Sequence, residues 1–198
     1  MQVFNSKVRY GGVAIGLHWL VALLIGGMIG VGFAMVRYFE APDELATKFA
    51  LYQWHKSFGI TVLMLVLLRF GWRQLNPVPP LPDTLKPAER VLARGTHAAL
   101  YGLLLATPVA GWIMASASSL PTGDLFGLFT LPALVGTDET VYEIARWVHG
   151  FLAWSLVAVV GLHVAGALKH HFILKDDVLL RMLPVSRRRT RAAAEAGE

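Results

Sequence analysis

The chain has 198 residues, 55% of them hydrophobic and 16% charged, with a net charge of +5 and a mean hydropathy of +0.53. A soluble domain carries about 25% charged residues, so this shortage points to a membrane protein whose positive charge reports topology and not nucleic-acid binding. There is no cysteine, which excludes disulfides, thiolate zinc sites, Cys-held iron–sulfur clusters and haem attached through Cys-x-x-Cys-His.

The first predicted element is a spanning helix over residues 11–36, a run of 26 without Asp, Glu, Lys or Arg. Crossing the hydrocarbon takes about 20. The run exceeds the about 7–15 apolar residues of a signal peptide and no small-residue cleavage motif closes it, so it is expected to stay in the mature protein. His18 stands near its start. Gly12, Gly16, Gly26, Gly27, Gly30 and Gly32 thin the helix, which suits a flat ligand and equally suits helix packing.

The second predicted span, residues 49–72, is weaker: only 12 uncharged residues separate Lys56 from Arg69. It crosses if those two side chains snorkel or bind a ligand at the interfaces. His55 lies near its start, with Gly59 four residues on. The linker 76–82 is Pro-rich and extended. The third span is predicted over 92–115. Its charge-free run continues to Gly123, but Ser116, Ser118, Ser119 and Pro121 end the helix near Ala115, and Pro108 predicts a kink. His97 lies one turn before Tyr101, where it bonds a neighbouring helix or, alternatively, a haem propionate or a quinone. The fourth span is predicted over 144–168, with a charge-free run of 22 from Trp147. It carries His149 and His163 and is followed by His170, His171 and Lys175. Beyond Pro184, residues 185–198 form a predicted disordered basic tail near the lipid surface. The whole chain is expected to be one transmembrane domain.

Fourteen of the 18 basic residues fall at the N-terminus, in the second loop and in the tail. The positive-inside rule then predicts both termini in the cytoplasm. Ionisable residues inside a membrane point to function. His149 and His163 are 14 residues apart, so they share a helix face and stand about 21 Å apart along the axis. One metal cannot reach both. Span direction puts His18 and His163 near the cytoplasmic side, and His55 and His149 near the opposite side. Each pair supplies two imidazoles, which fill both axial positions of a haem iron and favour electron transfer over oxygen binding. The bland alternative for each histidine is a polar helix contact. A zinc or copper site is a weaker rival, since no carboxylate lies within a span. Arg69 and Arg73 at one interface, and Lys56 and Arg146 at the other, are candidates for haem propionates or simple interfacial anchors.

The segments Gly16-Leu17-His18-Trp19, Trp54-His55-Lys56-Ser57-Phe58-Gly59, Trp147-Val148-His149-Gly150 and Gly161-Leu162-His163 resemble the bacterial cytochrome b561 family. So does the stretch Leu168-Lys169-His170-His171-Phe172 through Lys175-Asp176 to Leu180-Arg181-Met182-Leu183-Pro184. The similarity runs from about residue 8 to 184. The resemblance implies an all-α bundle of four transmembrane helices in the bacterial inner membrane, holding two b haems on His18, His55, His149 and His163. The family is similar to the cytochrome b anchors of formate dehydrogenases and hydrogenases. It further implies electron transfer between the periplasmic face and the quinone pool, with oxidation of superoxide and reduction of ubiquinone as one activity. Lys56 and Arg146 would then make a positive entrance for the anion, although the acidic loops on that side oppose it. His170, His171 and Lys175, with His97, would serve the quinone or its protons; a plain basic cluster is the alternative. Two rival functions stand beside this one. The chain is a haem-bearing subunit docked to a periplasmic or membrane dehydrogenase, or a haem-free membrane protein whose histidines line a proton or metal path.

Overall fold

A computed structural model describes residues 2–37, 44–81, 85–120 and 123–184 of the chain. The predicted tail 185–198 and the loop acids Glu40 and Asp43 lie outside those residues. Four long helices dominate: α1 (Gly12–Arg37), α2 (Leu45–Leu75), α3 (Pro87–Ala117) and α4 (Glu139–Leu168). All four are long and apolar enough to cross a membrane. Each of α2, α3 and α4 extends beyond its predicted span. The reason lies in their charged ends, where helical turns continue past the hydrocarbon and hold Lys48, Arg73, Arg90 and Glu143.

Local chemistry sets the helix ends. Asn5 accepts the Gly11 N–H at 2.8 Å where α1 begins. Asn76 turns its amide back to the Trp72 carbonyl and Pro77 follows, which stops α2. Pro87 opens α3, where the missing N–H costs nothing, and Glu89 accepts the Lys86 N–H at 3.0 Å. Asp138 caps α4 by accepting from Val141 at 2.9 Å. α3 runs unbroken through Pro108.

Neighbours in sequence pack as neighbours in space: α1 on α2, α2 on α3, α3 on α4. α4 makes no extended backbone contact with α1 or α2, so the bundle is closed there by side chains. One buried layer joins them at mid-height, formed by Val21 and Ile25 of α1, Val62 and Val66 of α2, and Leu156 of α4. Elsewhere large apolar side chains such as Leu23, Met64, Leu68 and Phe151 lie exposed, as lipid-facing surfaces require.

The two ends of the bundle differ. At one end, here the basic end, three segments of chain are tied together. Trp19 donates to the Met182 carbonyl, Asn5 to Pro77 and Arg181 to Pro80. Lys169 bridges to Glu89 at 2.8 Å, joining α4 to α3. At the other end, strands β1 (Asp124–Leu125) and β2 (Phe129–Thr130) make a small antiparallel hairpin. The connection is three residues long; Phe126 and Gly127, with φ of 52° and 72°, are the central pair of a turn closed by the Leu128 N–H on the Leu125 carbonyl at 2.9 Å, and such a turn needs positive φ at both. Ser57, almost fully buried, donates to the Asp124 carbonyl and accepts the Phe126 N–H, both at 3.1 Å. Phe126 packs against Trp54 and Phe58. The hairpin is thus pinned to α2 around His55.

Candidate functional site

Five histidines sit inside the bundle, in two groups. At the hairpin end, the rings of His55 on α2 and His149 on α4 are 6.3 Å apart between centres. At the basic end, His18 on α1 and His163 on α4 are 6.2 Å apart. An imidazole nitrogen sits about 2.0 Å from a first-row metal and about 1.2 Å from its own ring centre, so two rings sharing one ion are about 6.4 Å apart. Both pairs fit that spacing. Both also bridge the places where α4 stands away from α1 and α2. Span direction predicts the same two pairs.

His149 is held by α3. Its Nδ1 lies 2.9 Å from the Thr107 carbonyl. A carbonyl only accepts, so Nδ1 carries the proton and Nε2 keeps its lone pair for a metal. Gly111, one turn further along α3, makes room for the ring: a Cβ there would stand 3.0 Å from His149 Cε1. Thr107 and Gly111 carry no signal in the sequence, since only the packing of α3 on α4 gives them this role. His55 has a buried Nδ1 with no hydrogen-bond partner among the described residues.

At the basic end His97 of α3 joins the second pair, with its ring 5.3 Å from that of His163. Arg69, on α2, places a buried Nη1 with no partner among the described residues, and Trp72 likewise its Nε1. A buried guanidinium nitrogen without an acceptor fits a carboxylate of a bound group. Arg69 and Arg73 also act on the Tyr10 phenol, whose pKa burial raises while the nearby arginines lower it. Among the described residues no cluster of three or more metal-binding side chains forms. A haem needs only two, because the porphyrin supplies the rest.

The chain as a whole is similar to known proteins. The family described as "Prokaryotic cytochrome b561" covers residues 9–185. The chain belongs to the prokaryotic cytochrome b561 family. It is 38% identical to "Cytochrome b561 homolog 2" of Escherichia coli K12, over 92% of this chain and 95% of that protein. It is 32% identical to the "Probable superoxide oxidase CybB" of Yersinia pestis, over 90% of this chain and 98% of that protein. With "Cytochrome b562" of Cereibacter sphaeroides it shares 28% identity, over 90% and 98% of the two chains. As a b561 cytochrome it is a multi-pass bacterial membrane protein that binds b haem and works in membrane electron transfer.

The other predicted residues take these places. Lys56 lies beneath the hairpin, its Nζ within 3.0 Å of where a Gly123 Cβ would be. Arg146 pairs with Glu143 at 2.6 Å and covers the Trp147 ring. His170 is bonded to Asp176 at 2.6 Å, and His171 packs against Phe172. Lys175 ends the π-helical turn Lys169–Leu174 in a left-handed conformation.

Proposed function

We propose that the chain holds two b haems, one on His18 and His163 and one on His55 and His149, and moves electrons between the periplasmic face and the quinone pool. It oxidises superoxide to oxygen and reduces ubiquinone. The hairpin end faces the periplasm and the basic end the cytoplasm, following the excess of Lys and Arg. The observation that carries the reading is the pair of ring separations, 6.2 and 6.3 Å, at two depths on one face of α4. Similarity to a probable superoxide oxidase supports the choice of donor.

Two b haems would be held by His18 with His163 and by His55 with His149, and would supply one-electron steps. Two superoxide anions each give up one electron and leave as oxygen. One ubiquinone takes two electrons and two protons and leaves as ubiquinol. The protein contributes position and charge. Lys56, next to His55, and Arg146, one turn before His149, draw the anion to the hairpin end. Glu143 already offsets part of the Arg146 charge. Arg69 and Arg73 anchor carboxylates of the group held at the basic end. Thr107 keeps His149 in one tautomer.

The test is haem counted in four single His→Ala variants. His18 and His163 variants should lose one and the same haem, and His55 and His149 variants the other. Losses that cross these pairs refute the assignment. Stopped-flow decay of superoxide should be faster with the oxidised wild type than in buffer; equal decay with both haems present removes the superoxide donor.

A further inference from the structure

We propose that the β1–β2 hairpin is seated in the membrane, with Phe126, Leu128 and Phe129 among the acyl chains of the leaflet at that end. The inference needs only a chain that spans the bilayer. It stands whatever the haems hold or the electron donor is.

Depth is the first observation. Ser57, which holds the hairpin, comes 12 residues after Leu45, the first residue of α2, so about 18 Å of helix extends beyond it at this end. It stands two residues past His55, slightly nearer the middle of the bilayer. α3 runs to the same end and stops at Ala117, ten residues beyond Thr107, about 15 Å past the carbonyl that holds His149. The chain then turns back. Asp124 and Phe126 bond to Ser57 at the level of the His55–His149 pair, and β1 packs along α2. The hairpin therefore lies beside the helix and not on top of the helix ends.

The second observation is how the polar groups of the hairpin are satisfied. Ser57 engages the Asp124 carbonyl and the Phe126 N–H. The Leu128 N–H donates to the Leu125 carbonyl at 2.9 Å, and the Leu131 N–H to the Gly123 carbonyl at 3.2 Å. Thr130 Oγ1 donates to Asp124 Oδ1 at 2.6 Å. Non-helical backbone at membrane depth is tolerated only where its polar groups find such partners. A loop in water has no such need.

The surface is the third. Strand alternation puts Asp124 and Thr130 on one side of the ribbon, and Leu125 and Phe129 on the other. Phe126 covers Trp54 and Phe58 yet stays 40% exposed, while Phe129 is 55% and Leu128 79% exposed. Trp54, itself half exposed, stands 14 residues before the exposed Leu68 and so shares its side of α2. The apolar patch of the hairpin thus continues the lipid-facing surface of the bundle, and that continuity makes acyl chains its occupant.

The chain has no cysteine, so an introduced thiol reports its own surroundings. Leu128→Cys is placed in the haem-loaded full chain in lipid nanodiscs and treated with a charged, water-soluble maleimide. Thr137→Cys, beside the end of α3 where Asp138 donates to the Ala117 carbonyl, is the aqueous reference. Leu23→Cys, on the exposed face of α1, is the lipid reference. Apolar surroundings suppress the thiolate, so Leu128→Cys should react at least about 10-fold more slowly than Thr137→Cys. In a second arm, wild-type protein is illuminated in bilayers that contain a phospholipid with a diazirine on its acyl chain. Cross-links are expected at residues 126–129 as well as on α1. Equal labelling of Leu128→Cys and Thr137→Cys overturns the proposal. Slow labelling with cross-links on α1 and none on the hairpin means that protein covers the tip, and overturns it too. The cross-linking arm uses the unaltered chain, so it decides the matter even if a cysteine variant misfolds.

Discussion

His149 shows how much a single residue's setting decides. Its Nδ1 proton is committed to a helix carbonyl, and the ring lies against a glycine of the same helix. Gly111→Ala would put a methyl 3.0 Å from Cε1 and 3.1 Å from Nδ1. The ring must then tilt or α4 must move away from α3, and either change would spoil the proposed haem ligand. The expected outcome is a protein that retains the haem at the basic end and releases the other during detergent washing, seen as a fall from two haems per chain toward one. Two haems with an unaltered spectrum would show that the seat is looser than the contact implies. The histidines themselves were legible in the sequence, because charge-free runs give direction and direction gives depth. Thr107, Gly111 and Asp176 were not. Each acts through a partner brought close by helix packing or by a π turn, and neither is written in local composition.

At the scale of elements, the hairpin is the part that sequence pattern missed. Residues 124–130 carry no alternation long enough to announce strands, and Phe126 is a poor residue for a left-handed position. What holds the hairpin there is tertiary: aromatic packing on Trp54 and Phe58, and the two hydrogen bonds of Ser57. Ser57→Ala removes both bonds to the Phe126 N–H and the Asp124 carbonyl, which are part-buried, a loss of about 1 kcal/mol. The hairpin should loosen over Lys56, and superoxide capture should slow while haem content stays at the wild-type value. Thermal melting and stopped-flow decay check the two effects separately. An unchanged capture rate with a lower melting point would confine the hairpin to a structural part. The four long helices, by contrast, were readable from hydropathy alone. Their ends ran longer than expected because charged turns extend the helix without extending the apolar run.

At the scale of the molecule, two fields compete at the hairpin end. Among the described residues, loops and helix ends there hold four basic residues against five acidic ones, so the far field repels an anion while Lys56 and Arg146 attract it close in. Salt screens distant charges more than near ones. Raising ionic strength from low values should therefore leave capture of superoxide flat or slightly faster, until screening reaches Lys56 itself at about 1 M. A steep monotonic fall from the lowest salt would mean that long-range attraction dominates after all.

The buried layer of Val21, Ile25, Val62, Val66 and Leu156 lies between the two histidine pairs, and it has an electrical consequence. The pairs are about 21 Å apart across an apolar slab of about 30 Å, so on the proposed di-haem path an electron passing from one to the other would cross about two-thirds of the membrane potential. With the cytoplasm negative, inward passage is uphill by about 1.6 kcal/mol for each 100 mV. The protein then behaves as a rectifier whose forward direction weakens in an energised cell and recovers when the membrane is discharged. Proteoliposomes clamped with a potassium gradient and valinomycin would reveal it as turnover that rises when the interior-negative potential is collapsed; turnover indifferent to the clamp would place electron entry and exit at one depth.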